Sequence, residues 1–145
     1  MNDQDLLAKA IKIATEAHEG QKDRYGAPYI LHPLRVMQRL VTPEERTVGI
    51  LHDVVEDTDW TFEALRKEGF PDGLLEALKA VTKQDGEDYE QFVRRSAANP
   101  LGRRVKLADL EDNMDLRRMG QVTEKDVPRL AKYLKAWKFL TEYPD

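Results

Sequence analysis

The 145-residue sequence contains no cysteine. It therefore has no disulfide, no thiolate metal ligand and no cysteine nucleophile, which fits a reducing cytoplasm. It also lacks an apolar run close to the ~20 residues that a membrane-spanning helix needs. Its first residues lack the basic start and apolar stretch of a secretory signal. We therefore expect a cytoplasmic protein with no membrane partner.

An excess of positive charge is absent as well, because 23 basic and 27 acidic residues give a net charge of −4. This balance disfavours a general nucleic-acid scaffold, although a local basic patch remains compatible with it. The length fits one domain over 1–145, with a single sizeable core and no room for two. The sequence leaves the oligomeric state open, including a homo-oligomer.

Sustained strand-like alternation is also lacking, and the apolar periodicity is helical throughout. The cleanest helix start is Thr42-Pro43-Glu44-Glu45, with a threonine N-cap, a proline at the first position and a glutamate at the third. A last helix is expected over about 123–142. The sequence predicts an all-α domain of seven or eight helices.

Four ionisable residues follow one another closely inside an apolar run: His52, Asp53, Glu56 and Asp57. A helix that runs from Pro43 through this stretch would crowd the four groups at one end. Such groups are costly to bury without a partner, and a bound cation is a suitable one. The alternative is an acidic helix end in water.

Two further candidate ligands, His32 and Asp109, lie on separate predicted helices. Together with His52 and Asp53 they would form a mixed nitrogen and oxygen site, which suits manganese, iron, zinc or nickel better than calcium. Four protein ligands leave open positions for water and for a substrate oxygen, and the pKa of a bound water falls towards neutrality. The two carboxylates that follow the His-Asp pair would orient that water or move its proton.

The loop 20–29 carries two cations, Lys22 and Arg24, interleaved with Tyr25 and Tyr29. Two interpretations stay open for it. The charges are simply solvated, or the loop forms a mouth that grips anionic groups and stacks a ring.

The motifs Gly20-Gln21, Gly26-x-Pro28-Tyr29-Ile30-x-His32-Pro33, His52-Asp53-x-x-Glu56-Asp57-Thr58 and Lys106-Leu107-Ala108-Asp109-x-x-x-Asn113-Met114 occur in this order. From about residue 10 to 114 this order resembles the HD-domain alarmone hydrolases. These are the hydrolase half of the Rel/Spo stringent-response enzymes and their small stand-alone relatives. A lone His-Asp pair is a weak signal, whereas four ordered motifs are specific.

The resemblance implies an HD-domain helical bundle that removes the 3′-pyrophosphate from (p)ppGpp, a small nucleotide substrate, without a synthetase half. It implies one manganese ion held by His32, His52, Asp53 and Asp109. It implies Glu56 and Asp57 as the catalytic pair, and a nucleotide pocket lined by Lys22, Arg24 and Asn113. Lys83 and Tyr133 are further candidates for that pocket.

The last motif also departs from the family pattern. Relatives usually carry Arg or Lys after the Ala-Asp step and His or Tyr before the Asn, where Leu110 and Asp112 stand here with Glu111 between them. At helical spacing Asp112 points roughly 60° away from Asp109. It therefore faces solvent, or it enters the pocket and favours a second cation or a less charged substrate.

Three alternative functions for the chain stay open. They are an HD phosphohydrolase acting on another nucleotide, such as the 2′-phosphate of NADPH, a non-catalytic nucleotide sensor, and an all-α interaction module.

Overall fold

Helices make up most of the chain, for which a computed structural model describes residues 1–144. The α-helices in that range are α1 (Asp3–Ala17), α2 (Leu31–Gln38), α3 (Pro43–Leu51), α4 (Val54–Asp57), α5 (Phe62–Lys67), α6 (Asp72–Ala80), α7 (Tyr89–Ala98), α8 (Pro100–Asn113) and α9 (Val127–Thr141). A 3-10 turn covers Leu116–Arg118, and Lys22 and Pro28 form an isolated antiparallel bridge. Since α4 is a single turn, eight longer helices remain, and the all-α prediction is confirmed.

The start of α3 follows the signal in the sequence. The Thr42 hydroxyl accepts the Glu45 N–H at 3.1 Å, and the Glu45 carboxylate accepts the Thr42 N–H at 3.2 Å. This reciprocal pair satisfies two N–H groups that a helix start leaves without partners. Asp88 and Gln91 form the same arrangement at the start of α7.

The helix expected to continue to Asp57 is interrupted at His52 and Asp53. In an unbroken α-helix the carbonyl of Gly49 would accept the Asp53 N–H. Here the His52 side chain donates its Nδ1–H to that carbonyl at 2.7 Å. The chain therefore turns between α3 and α4, and the side chains of the His-Asp pair lie in the turn rather than on a helix face.

The last helix begins at Val127, not near residue 123 as expected. The Asp126 carboxylate accepts the N–H and the hydroxyl of Thr123, at 2.8 and 3.2 Å. These bonds close a turn before the helix, and Pro128 follows in the first helical turn, where its missing N–H costs nothing. The expected domain range of 1–145 includes Asp145, which lies outside the described residues.

Helix α8 is held between two apolar clusters. Its Val105 and Ala108 belong to the main core with α1, α2, α3 and α6, whereas its Leu110 packs with residues of α7 and α9. A helix packed on both sides can hold polar side chains at fixed positions towards a cavity. Within residues 1–144, no helix combines the length and apolarity that crossing a membrane requires.

Arg95 on α7 joins α7 to the end of α6. Its guanidinium donates to both carboxylate oxygens of Glu87, at 2.8 and 2.9 Å, and to the backbone carbonyls of Lys79 and Thr82. The hydrogen bond from Arg95 is the largest cause that lowers the pKa of Glu87, to about 2. The ionised carboxylate therefore stabilises the fold.

We expect Glu87→Gln to reduce the free energy of unfolding at neutral pH by roughly 1–2 kcal/mol, because one charged acceptor of a two-bond pair is lost. In the wild type this contribution is complete above the ordinary glutamate pKa and disappears as the pH falls through the lowered pKa of about 2. Urea unfolding at several pH values measures both effects. Glu90→Gln is the matched control, since its pair with Arg94 is mostly exposed; equal losses in the two variants would contradict the assignment.

Candidate metal centre and active-site cavity

Three separate elements bring their ligand-type atoms together at one buried point. His32 on α2, His52 after α3 and Asp109 on α8 each offer one such atom, and these atoms lie within 4.8 Å of one another. Asp109 Oδ1 lies 3.0 Å from His32 Nε2 and 3.3 Å from His52 Nε2. A single carboxylate oxygen thus faces both imidazoles.

Asp53 completes the group of four predicted from the sequence. Its Oδ2 lies 2.9 Å from His52 Nε2 and 3.8 Å from His32 Nε2. The Tyr29 hydroxyl, from the loop before α2, donates a hydrogen bond to the same oxygen. The interruption of the helix at His52 and Asp53 is what allows both side chains to reach this point.

Charge compensation keeps Asp109 ionised although it is buried. Burial alone would raise its pKa, but the ammonium of Lys106, 3.0 Å from Oδ2, and the two imidazoles hold the pKa of Asp109 well below its usual range. Asn113 donates a further hydrogen bond to Oδ1 at 3.0 Å. In turn the aspartates raise the pKa of His32 and of His52, against the effect of burial. The centre therefore favours positive charge.

The donor atoms also fit a metal ion chemically. His52 is buried, and its Nδ1–H is committed to the Gly49 carbonyl, so Nε2, which faces Asp53 and Asp109, is the ring nitrogen left for a metal ion. Within residues 1–144 this Nε2 makes no hydrogen bond, which is a costly state for a buried nitrogen. Two imidazole nitrogens and two carboxylates form a donor set that suits a divalent first-row ion.

The centre opens into a cavity of about 410 Å³. Six cationic side chains line it: Lys22, Arg24, Lys106, Arg118, Arg129 and Lys132. Four tyrosines line it as well: Tyr25, Tyr29, Tyr89 and Tyr133. A cavity that combines cations with aromatic rings suits a ligand that has both phosphates and a base.

Glu56 and Asp57 from α4 also line the cavity. Burial, followed by the negative charge of Asp53, raises the pKa of both carboxyl groups. A carboxyl group with a raised pKa takes up a proton at a pH closer to neutrality, as proton transfer to or from a substrate requires.

Comparison with known proteins extends these observations, although no protein-family model matches the chain. Over 160 aligned positions it is 29% identical to a guanosine-3′,5′-bis(diphosphate) 3′-pyrophosphohydrolase of Aquifex aeolicus, which covers 96% of this chain and 23% of the relative. It is 34% identical to the Haemophilus influenzae protein of the same name, over 83% of this chain and 20% of the relative. It is 36% identical to a GTP pyrophosphokinase of Streptomyces coelicolor, over 74% and 14% respectively. The chain thus spans a quarter or less of these curated relatives.

Among solved structures, the chain is similar to one described as a metazoan ortholog of SpoT that hydrolyses ppGpp, with a TM-score of 0.77 and 25% identity. The match covers 95% of this chain and 86% of the other. The chain has the fold of the Rel/Spo HD-domain ppGpp hydrolases. The resemblance expected from the four motifs is therefore confirmed.

Several cavity residues of this HD-domain fold were not identified from the sequence. Arg129 and Lys132 on α9 lie more than 100 residues from the first motif. Lys106 is the first residue of the last motif, and Arg118 follows that motif. A signal did exist on α9, because residues 129, 132 and 133 are three and four positions apart and share one helix face. Nothing in the sequence alone, however, indicated that this face meets the HD-domain cavity.

The two undecided candidates separate in the structure. Tyr133 lines the HD-domain cavity, as expected of a pocket residue. Lys83 lines a neighbouring hollow of about 660 Å³, which shares Glu56 with the cavity. Lys83 therefore lies behind α4 and does not line the wall around the metal centre.

Asp112 takes neither of the two positions considered for it. It is completely buried and neither faces solvent nor lines the cavity. Its carboxylate lies between His32, Arg35 and Arg118. Both arginines come from outside α8, so helical spacing within α8 did not predict this position.

We expect Mn²⁺ to raise the melting temperature of the wild type, because an ion that binds only the folded chain adds about 2.7 kcal/mol at a hundredfold excess over its Kd. The shift should increase from about pH 6 to about pH 8, because protons compete with the ion at imidazoles of raised pKa. Asp109→Asn should abolish most of the shift. Thermal melts with and without Mn²⁺ provide the measurement.

The control for that experiment is Asp72→Asn, which alters an exposed carboxylate at the start of α6 that does not line the cavity. It should keep the wild-type response to Mn²⁺. A wild-type melting temperature that does not change with Mn²⁺ at either pH would contradict a metal centre at this position.

Proposed function

We propose that this chain is a divalent-metal-dependent hydrolase that removes the 3′-pyrophosphate of ppGpp, giving GDP and pyrophosphate. The observation that carries the proposal is the opening of a buried His/Asp centre into a cavity lined by cations, tyrosines and the carboxyl groups of Glu56 and Asp57. The Aquifex and Haemophilus relatives are named for this activity, and the solved relative is described as hydrolysing ppGpp.

We assign the ion to His32, His52, Asp53 and Asp109, with Mn²⁺ as the expected species. A divalent ion bound there supplies a water of lowered pKa and positive charge beside the phosphoryl oxygens. The protein prepares the position for it. Lys106 keeps Asp109 ionised, and the Tyr29 hydroxyl fixes the Asp53 carboxylate.

Proton movement is assigned to Glu56 and Asp57. In the reaction a water oxygen joins the phosphorus, the bond from that phosphorus to the ribose 3′ oxygen breaks, and the 3′ oxygen leaves with a proton. Carboxyl groups of raised pKa on the cavity wall accept the proton of the attacking water and return one to the leaving oxygen.

The cations around the cavity bind the phosphates. Lys22, Arg24 and Lys132 make no ion pair within the described chain and are exposed at the rim, so their charges remain available to an anionic ligand. Lys132 also lies 4.3 Å from the centroid of the Tyr89 ring. The tyrosine rings offer a face for stacking a purine base.

We expect Glu56→Gln to lower kcat for pyrophosphate release by about 10²–10⁴, because the group that exchanges the proton becomes an amide. Its Mn²⁺ affinity should stay near that of the wild type, since Glu56 is not among the assigned ligands. Coupled pyrophosphate detection and Mn²⁺ titration of the same preparations make the two measurements.

The same assay distinguishes the substrate and the reaction. A chelator should abolish release of pyrophosphate from ppGpp, and NADPH run in parallel tests for release of its 2′-phosphate. If the chain released phosphate from NADPH and no product from ppGpp, the assigned substrate would be NADPH and not ppGpp. A Mn²⁺-loaded protein that binds ppGpp and releases nothing would contradict hydrolysis and favour a nucleotide sensor.

We expect Lys132→Ala to raise KM for ppGpp several-fold with little change in kcat, because it removes a rim charge that attracts ground state and transition state alike. Lys135→Ala is the control on the same helix, since Lys135 lines the adjoining groove but does not line the cavity of the metal centre. Initial rates at low and moderate ionic strength test the prediction. Identical KM values for the two variants would show that the α9 face does not bind the nucleotide.

A further inference from the structure

Asp112 is the least solvent-exposed carboxylate near the metal centre. It lies one turn after Asp109 on α8, and its exposed fraction is 0%. Its Oδ2 lies 2.6 Å from His32 Nδ1, and its Oδ1 accepts the Nε–H of Arg35 at 2.7 Å. The guanidinium of Arg118 lies 3.0 Å from Oδ2. An ionised carboxylate buried among these groups has only donors around it.

These contacts determine which nitrogen of the His32 ring carries the proton. A carboxylate can only accept, so the proton between the two side chains belongs to His32 Nδ1. The other ring nitrogen, Nε2, then points towards Asp109, 3.0 Å away, and is the atom available to a metal ion. In metal centres, a ligand histidine that donates its second N–H to a carboxylate is held in orientation and is a stronger donor.

The two imidazoles of the centre are held in the same way by different acceptors. His52 donates its Nδ1–H to the backbone carbonyl of Gly49, which any sequence at that position would provide. His32 donates to a side chain, which only the residue at position 112 provides. The orientation of His32 therefore depends on one residue choice.

We propose that Asp112 is a positioning residue that fixes the His32 ring with Nε2 towards the metal ion. The inference rests on the metal centre of the proposed function, and the substrate does not enter it. The negative charge of Asp112 also does not repel a polyanionic ligand from the cavity. Arg35 and Arg118 offset its charge, and neither of its carboxylate oxygens is exposed to the cavity.

Arg118 connects Asp112 to the part of the cavity that would hold the nucleotide. It lines the cavity, and its guanidinium also donates to the Asp112 backbone carbonyl and to the Asn113 side chain, at 3.0 and 3.3 Å. The Asp112 carboxylate therefore contacts one side chain of the metal centre, His32, and one cation that lines the cavity, Arg118.

The test is the Mn²⁺ affinity of Asp112→Asn, measured from the free-ion electron paramagnetic resonance signal. We expect Kd to rise about 10–100-fold, the loss that removal of such a hydrogen-bonded partner causes. Glu45→Gln is the matched control. Glu45 is also a buried carboxylate that accepts from an arginine, Arg104 at 2.7 Å, but it lies at the start of α3 away from the centre. A folded Asp112→Asn variant whose Kd stays within twofold of the wild type would overturn the proposal.

A second readout can be made on the wild type as well as on the two variants. The chain has three histidines, so long-range proton–nitrogen spectra of the protein loaded with diamagnetic Zn²⁺ assign each ring. We expect the His32 proton on Nδ1, shifted strongly downfield by the carboxylate, and lost or shifted back in Asp112→Asn but retained in Glu45→Gln. A proton on Nε2, or a chain that binds neither ion, overturns the proposal. Neither experiment contains a nucleotide, so failure to hydrolyse ppGpp would refute the proposed function and leave this result intact.

Discussion

The ionised carboxylate of Asp109 is the constraint on which the centre of this molecule depends. It is buried, and it contacts the Lys106 ammonium, both imidazoles of the centre and the Asn113 amide. A buried charge without such partners costs several kcal/mol. Its partners come from α2, from the turn after α3 and from α8 itself, so compensating one charge requires these three segments to meet.

Helix α8 meets this requirement because successive turns present different polar groups. Lys106 and Asp109 lie three residues apart and pair with each other, while Asp112, a further turn on, reaches behind His32. The helix can carry these groups because Val105, Ala108 and Leu110 anchor it in two apolar clusters. The packing thus fixes the direction of each charged side chain, and the same contacts that stabilise the fold position the candidate metal ligands.

Much of this arrangement was predictable from local chemistry. The threonine–proline start of α3 and the all-α periodicity depend on neighbours within a few residues, and four ordered motifs identified the His/Asp group. The interruption at His52 and the late start of α9 were not predictable, because each depends on a side chain that takes a backbone partner. The position of Asp112 was not predicted for a different reason. Its position is set partly by Arg35, 77 residues earlier, which helical spacing within α8 cannot reveal.

The most direct test of the central claim, that these side chains form a metal centre, is anomalous diffraction from crystals grown with Mn²⁺. The account predicts one strong peak between His32, His52, Asp53 and Asp109, with Nε2 of each histidine as the nitrogen ligand at about 2.0–2.2 Å. The peak should be lost in Asp109→Asn crystals. A peak elsewhere in the chain, or none beside these four residues at saturating Mn²⁺, would contradict the account.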